Sequence, residues 1–313
     1  MAKAKLVAGV DCNTLVRAGM KLVLGSRLEE MCAFRNAALD WSDPAGVHDM
    51  RVASRRLRGA LQDFAPYLEK RRLASSLKQI KHIAGALGQV RDHDVAIMTL
   101  ERTAAKAPAK VSRGIRQFAE LRNSAREELR AKFLPVLDPE ALRQLTTKFT
   151  KTLDAQAAPN RRKNITYREV ARSIILDRLN DLEKLSNSLY HPLEIKPLHE
   201  MRIAAKHLRY ALELFEQCWG PQVSSFAQKV AGLQSSLGKL HDCDMWIEDF
   251  GNAAIYEEAP SEQSPKDSDH KTTVVWLLTH FVGMRAKHLS EAMAQWHEWE
   301  TNDFGAQLRQ ALS

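Results

Sequence analysis

The chain has 313 residues, and its 44% hydrophobic fraction is too high for an intrinsically disordered protein. This length allows two domains of ordinary size. The formal net charge of +8 and a pI of about 9.3 favour an anionic partner, such as nucleic acid, an acidic membrane surface or polyphosphate. Aromatic residues make up only 7%, which argues against a surface that stacks on nucleobases.

The cysteines and the N-terminus bear on the cellular compartment. Cys12, Cys32, Cys218 and Cys243 are scattered without a C-x-x-C pair, so we expect four reduced thiols. The N-terminal sequence MAKAKLVAGV lacks the apolar core of a signal peptide. The sequence also contains no run of about 18 apolar residues, the length needed to span a bilayer. We therefore expect a soluble protein of a bacterial-type cytoplasm.

Apolar residues recur with helical spacing almost throughout, and glycine and proline are sparse, which predicts an all-α fold. We expect Asp11 or Asn13 to cap the first helix, Asp43 and Pro44 to begin the second, and RDHD to break or bend the third. The predicted helices of the first half span residues 12–40, 43–66, 70–90 with a short helix to 105, 109–134 and 138–156. Those of the second half span 165–190, 197–218, 222–257 with a break near His241, and 271–300, after a loop at 257–270.

One stretch occurs twice in the chain. VHDMRVASRRLRGAL (47–61) matches LHEMRIAAKHLRYAL (198–212), and LGQVRDHD (87–94) matches LGKLHDCD (237–244). The first pair of stretches is 151 residues apart and the second 150, and at the offset of 151 Arg17, Lys21 and Arg27 match Arg168, Arg172 and Arg178. The duplication predicts two tandem antiparallel four-helix bundles, residues 1–157 and 164–313, joined by a linker at 158–163 and related by a pseudo-two-fold axis. Such an axis would let equivalent faces share one groove.

Each copy of the repeated stretch carries a basic arc when it is placed on a helix at about 100° per residue. Arg51, Arg55 and Arg58 fall within about 80° of His48, and Met50 and Leu57 lie on the opposite side. Like charges at i,i+3 and i,i+4 destabilise a helix by a few tenths of a kcal/mol per pair, so the arc suggests a neutralising anion. The arc residues are His48, Arg51, Arg55 and Arg58 in the first copy and His199, Arg202, Lys206 and Arg209 in the second, with Arg56 and His207 beside them.

Further basic residues surround these arcs. The helix after each arc adds Lys78, Lys81 and His82 in the first half and Lys229 in the second. The first helix of each half adds Arg17, Lys21, Arg168 and Arg172. Gly85 and Gly88 lie on the same side as Lys78 and Lys81. A glycine within a helix costs about 1 kcal/mol, which indicates either a close ligand or tight helix packing, two readings that we weigh equally.

A metal-dependent phosphohydrolase is the enzymatic alternative. It would rest on three His-Asp dipeptides, His48-Asp49, His93-Asp94 and His241-Asp242. Adjacent residues on a helix diverge by about 100°, so both can bind one metal only in special geometry. Asp92, Asp94, Asp242 and Asp244 are better suited to capping helices or pairing with arginines. The sequence contains no glycine-rich phosphate loop or nucleophile elbow.

The doubled pattern x-H-x-M-R-x-x-x-[RK]-[RH]-L-R-x-x-L, followed about 40 residues later by L-G-x-x-[RH]-D-x-D, resembles the CHAD family, the conserved histidine α-helical domain. The resemblance implies two antiparallel helical bundles with a central basic groove or pore, and binding of inorganic polyphosphate without known catalysis. It places the family's histidine at His48 and His199, and its basic positions at Arg51, Arg55, Arg56, Arg58, Arg202, Lys206, His207 and Arg209. Lys206, His207 and His241 stand at positions where arginine is commoner in the family. Arg91, the counterpart of His241 in the first copy, is the arginine that the family pattern expects.

We therefore expect a non-enzymatic polyphosphate-binding protein that needs no cofactor or metal and does not enter a membrane. Other phosphate-rich polyanions would also suit the basic arcs. After polyphosphate binding and the phosphohydrolase, a nucleic-acid-binding module is the third functional interpretation, and it rests on net charge alone. Granule targeting, regulation of a polyphosphate enzyme and protection of the polymer all agree with the sequence, which does not indicate an oligomeric state.

Overall fold

The structure is a computed structural model that describes residues 7–155, 165–256 and 265–313, and within them it is all-α, as predicted. The helices of the first part of the chain are α1 (Val16–Ala33), α2 (Arg35–Ala38), α3 (Pro44–Asp63), α4 (Lys70–Ala104), α5 (Ala109–Phe133) and α6 (Pro139–Ala155). They are followed by α7 (Tyr167–Lys184), α8 (Ile195–Phe215), α9 (Pro221–Tyr256), α10 (Pro265–Thr301) and α11 (Phe304–Ala311).

The start of α3 agrees with the sequence and the start of α1 does not. Asp43 caps α3 by accepting a hydrogen bond of 2.8 Å from the Ala45 amide, and Pro44 takes the first helical position. The carboxylate of Asp11 instead accepts from the Asn13 amide, two residues along. The α1 helix begins only at Val16, whose amide donates to the carbonyl of Ile165.

The breaks predicted in the long helices are wrong. Both α4 and α9 run without interruption through RDHD and through His241. Asp94 and Asp244 there bind arginines of neighbouring helices instead of capping a backbone end. The α10 helix begins six residues before the predicted residue 271, and α11 was not predicted; Asp303, at φ 55°, lies between these helices.

The chain divides into two compact units. One comprises Met1–Thr99 and Ala119–Ile174, and the other comprises Leu100–Phe118 and Ile175–Ser313. In the first, α1 packs against α3 and α6. In the second, α9 packs between α8 and α10. The predicted linker at 158–163 lies outside the described residues, so the division into two sequence halves, the bundle arrangement and the pseudo-two-fold stay predictions.

Two of the four cysteines differ from the expectation. Cys12 and Cys218 are disulfide-bonded, whereas Cys32 and Cys243 are free thiols. The prediction of reduced thiols was wrong for the first two because scattered cysteines give no information about pairing in space. None of the described helices combines the length and the apolar character needed to cross a bilayer.

Gly46 fixes the approach of α2 to the beginning of α3. A Cβ atom at this position would lie only 1.9 Å from the Ala37 carbonyl oxygen, a backbone atom that cannot turn aside. A Cβ at Gly25, within α1, would have no atom of the described chain within 4 Å apart from its chain neighbours and the backbone of its own helix. The two glycines therefore form a matched pair for substitution.

We expect Gly46→Ala to lower the free energy of unfolding by about 1–3 kcal/mol, because α2 or α3 must shift. Gly25→Ala should raise it by about 0.5–1 kcal/mol, because alanine favours the helix and meets nothing. Urea denaturation of both variants measures the difference. An unchanged midpoint for Gly46→Ala would contradict the close packing of α2 on α3.

Candidate functional site

The two motif helices bury the predicted apolar faces. On α3, Met50 and Leu57 have no exposed surface, and on α8 the same holds for Met201 and Leu208. The basic arc of α3 lies on the other side, where Arg58 is exposed and His48, Arg51 and Arg55 are half-buried. The periodicity of the sequence therefore predicted the two faces of α3 correctly.

In the first unit, the arc of α3 meets the RDHD stretch of α4. Arg51 donates to the Asp92 carboxylate at 3.0 Å. Arg91 lies close enough to His48 for its charge to act on the imidazole. Arg55 is half-buried, and its buried Nε has no hydrogen-bond acceptor among the residues described. The site thus combines residues of α3 and α4 that lie about 40 positions apart in the sequence.

In the second unit, the arc of α8 meets the HDCD stretch of α9 in the corresponding place. The Nδ1 atoms of His199 and His241 lie 3.2 Å apart, and their ring centroids are separated by 4.4 Å. Arg202 is near enough for its charge to act on both rings. The structure therefore places His241 where the first unit has Arg91, as the repeat indicates.

Burial and neighbouring cations both favour neutral imidazoles at these positions. The pKa of His48 is lowered by burial and then by Arg91, and the pKa of His199 is lowered by burial, Arg202 and Lys206. For His241, burial, Arg202 and His199 lower the pKa to about 4. These histidines are therefore mainly neutral near pH 7 when no anion is bound.

Two arginines of the predicted basic set are buried: Arg56, which flanks the arc of α3, and Arg209, the last residue of the arc of α8. Arg56 is only 8% exposed and lies 4.0 Å from Glu30, which also binds Arg27 at 2.7 Å. Arg209 is 3% exposed and its Nε lies 3.0 Å from Glu213. Both arginines already have acidic partners. Arg58 occupies the position in the first copy that Arg209 occupies in the second, but Arg58 is exposed.

The other predicted residues are spread over the surface of the two units. Among them, Lys21 donates to the carboxylate of Asp154 at 3.2 Å. The exposed residues are Lys78, Lys81, Arg168, Arg172 and Lys229, and Arg17 is half-buried. The binding role of every predicted residue stays a prediction.

Two arginines that the sequence did not single out hold the acidic residues beside the arcs. Arg126 of α5 lies 3.1 Å from the buried carboxylate of Asp94, and Arg285 of α10 binds the equivalent Asp244. This confirms that these aspartates pair with arginines. The arginines themselves were missed because they do not keep a constant offset in the repeat, although the recurrence of the aspartates could have prompted a search for partners.

The helical glycines beside the first arc do not serve close packing. A Cβ added at Gly85 or Gly88, or at the equivalent Gly238, would have no atom of the described chain within 4 Å apart from its chain neighbours and the backbone of its own helix. Of the two readings of Gly85 and Gly88, tight helix packing is therefore not supported. Space for a ligand next to the backbone remains as the other reading.

The described residues contain no group of three or more His, Cys, Asp or Glu side chains that could hold a metal ion. The His93-Asp94 dipeptide is engaged elsewhere. His93 Nδ1 lies 3.1 Å from the Arg122 carbonyl oxygen, and Asp94 binds Arg126. The two side chains of this dipeptide therefore have separate structural partners.

Comparison with known proteins assigns the fold and the family. The family model of the CHAD domain matches residues 22–249, and the chain belongs to this family. The crystal structure of the CHAD domain from the plant Ricinus communis superimposes with a TM-score of 0.69 at 21% identity, covering 95% of this chain and 96% of that one. PptA from Streptomyces chartreusis superimposes with a TM-score of 0.66 at 14% identity, covering 91% and 100%. No curated protein matches the sequence.

His207 provides a test of the electrostatics beside the second arc. Burial, Lys206 and Arg178 lower its pKa from 6.5 to about 4, as burial and Arg202 do for His241. The folded protein thus binds fewer protons than the unfolded chain between pH 6.5 and 4. The free energy of unfolding should fall as the pH is lowered through this window.

We expect His207→Gln to flatten part of this pH dependence, because glutamine cannot gain a proton on unfolding. Urea denaturation at several pH values between 7.5 and 4 measures the slope. His82→Gln, at an exposed histidine of α4, is the matched control. Equal slopes for the two variants would contradict the low pKa of His207.

Proposed function

We propose that the protein binds inorganic polyphosphate along the two basic arcs and does not catalyse a reaction on it. The observation that carries the proposal is a set of cations without acidic partners. Arg55, Arg58 and Arg91 form no ion pair with a carboxylate among the described residues, and Arg55 and Arg91 are half-buried. Half-buried charges of one sign are costly unless a counter-charge is supplied, and a chain of phosphates supplies several.

The geometry of the donors suits phosphate. A guanidinium group offers bidentate hydrogen bonds to two phosphate oxygens, and a lysine acts as a point charge. Arg51 and Arg55 on α3, and Arg202 and Lys206 on α8, follow one another at helical spacing along one face. A flexible linear polyanion can follow such a row without base-specific contacts.

Membership of the CHAD family adds support, because the sequence resemblance implied polyphosphate binding for this fold. The low aromatic content favours a phosphate polymer over nucleic acid, whose single strands are usually held by base stacking. The central groove implied by the resemblance stays a prediction. We propose the cytoplasm as the location, with polyphosphate granules as a candidate site of action, although the disulfide-bonded Cys12 and Cys218 are more typical of an oxidising compartment.

We expect the double variant Arg51→Glu, Arg202→Glu to weaken polyphosphate binding at least about a hundredfold, because it reverses one charge in each arc. Helical content should stay unchanged, since both side chains are half-buried on the polar face. Calorimetry with long-chain polyphosphate measures the affinity and circular dichroism measures the helicity.

The matched control is Lys148→Glu, Lys271→Glu, which makes the same change in net charge at exposed positions of α6 and α10. It should bind within a few-fold of the wild type. Equal losses in both double variants would show that net charge alone matters and would contradict the arcs as the site. Steady phosphate release that EDTA stops would instead indicate the phosphohydrolase.

Affinity should also fall steeply with salt. If Arg51, Arg55, Arg58, Arg202 and Lys206 each neutralise one phosphate, the logarithm of the binding constant should fall with a slope of about −3 to −4 against the logarithm of salt concentration, by analogy with single-stranded nucleic acid. Titrations at four salt concentrations measure this slope. A slope near zero would contradict an electrostatic site, and displacement of polyphosphate by RNA at equal phosphate concentration would favour the nucleic-acid alternative.

A further inference from the structure

The contact between His199 and His241 has no equivalent in the first unit. Where the second unit pairs two imidazoles, the first pairs His48 with Arg91. A guanidinium keeps its charge at every pH that a protein tolerates, whereas an imidazole gains its charge within the physiological range. The repeat has thus exchanged a permanent cation for a titratable one at the same place in the site.

The geometry of the pair limits how many protons it can bind. At 3.2 Å, one Nδ1 must donate a hydrogen and the other must accept it. A proton added at the Nε2 atom of the donor ring leaves this hydrogen bond in place and makes it charge-assisted, which strengthens it. A second proton would put hydrogens on both Nδ1 atoms and break the contact. The pair can therefore take up one proton and resists a second.

Burial, and after it the charges around the pair, keep the pair neutral when no anion is present. On α8 these are Arg202 and Lys206, which disfavour the proton, and Glu200, which favours it. On α9 the exposed Asp242 is adjacent to His241. On α10, Arg285 is bound to Asp244, which lies three residues after His241 on α9. A phosphate chain on the arc would offset Arg202 and Lys206 and so favour the proton.

We propose that the His199–His241 pair makes polyphosphate binding by the second arc proton-linked, so that one proton is taken up with the polymer and affinity increases as the pH falls. This inference rests on the proposed function. His48 is a weaker candidate for the same uptake, because its neighbour Arg91 can only repel a proton and cannot accept a hydrogen bond from an imidazolium.

The experiment is calorimetry of long-chain polyphosphate at pH 7.5, 6.5 and 5.5, in buffers of different ionisation enthalpy, which gives the number of protons taken up. Internal phosphates of a long chain stay ionised over this range, so the polymer contributes little. We expect the wild type to bind about tenfold more tightly at pH 5.5 than at pH 7.5 and to take up close to one proton.

The first variant, His241→Arg, restores the arrangement of the first unit. It should bind more tightly than the wild type at pH 7.5 and take up at most a small fraction of a proton. His241→Gln should fail to gain affinity as the pH falls from 7.5 to 5.5. His48→Gln is the matched control and should keep most of the proton uptake.

The outcomes separate the two ideas. Wild-type binding without proton uptake, or uptake that persists in both His241 variants, would overturn the proton link and leave polyphosphate binding intact. Failure of the wild type to bind polyphosphate at any of the three pH values would overturn the proposed function. Uptake lost in His48→Gln and kept in His241→Gln would assign the proton to the first unit and overturn the inference.

Discussion

Burial of one complete apolar face on each motif helix is the constraint on which both basic arcs depend. Full burial of side chains such as Met50 and Leu57, or Met201 and Leu208, contributes about 1.5–3 kcal/mol each. Repulsion between like charges on the opposite face costs only a few tenths of a kcal/mol per pair. Packing therefore outweighs the repulsion several times over. The arcs can remain crowded with cations because the core, and not charge balance within the arc, fixes the orientation of α3 and α8.

Several acidic residues close to the arc of α3 bind arginines that are buried or half-buried and lie outside the arc. Glu30 lies between Arg27 and Arg56, and the buried Asp94 holds Arg126. A buried guanidinium needs such a partner, because its desolvation is costly without one. Carboxylates committed in this way are not available to neutralise the arc. The first unit thus separates paired arginines such as Arg56 from Arg55 and Arg58, two arc cations that form no ion pair with a carboxylate among the described residues, and this gives it a surface suited to a polyanion.

Local signals predicted the parts of the fold that depend on local structure. The cap at Asp43 and the buried face of α3 follow from residue types and helical spacing, and both are confirmed. The break predicted at RDHD was wrong. Aspartates favour helix caps, but an aspartate inside a helix is also stable when a side chain of another helix binds it. Asp94 is satisfied by Arg126, which lies on a different helix whose register depends on packing. The approach of His199 to His241 depends on packing in the same way, so spacing alone did not indicate it.

The two copies of the motif have diverged in charge more than in shape. The buried apolar positions are kept, whereas Arg56 and Arg91 of the first copy correspond to His207 and His241 in the second. Both histidines have a pKa lowered to about 4, mainly by burial, so near pH 7 each position has lost a permanent positive charge. A substitution that only relaxed packing would not concentrate on basic positions around one arc. The two arcs therefore differ in charge: the surroundings of the second arc carry histidines that can gain or lose a proton where those of the first carry permanently charged arginines. The helices that carry the two arcs bury equivalent apolar positions.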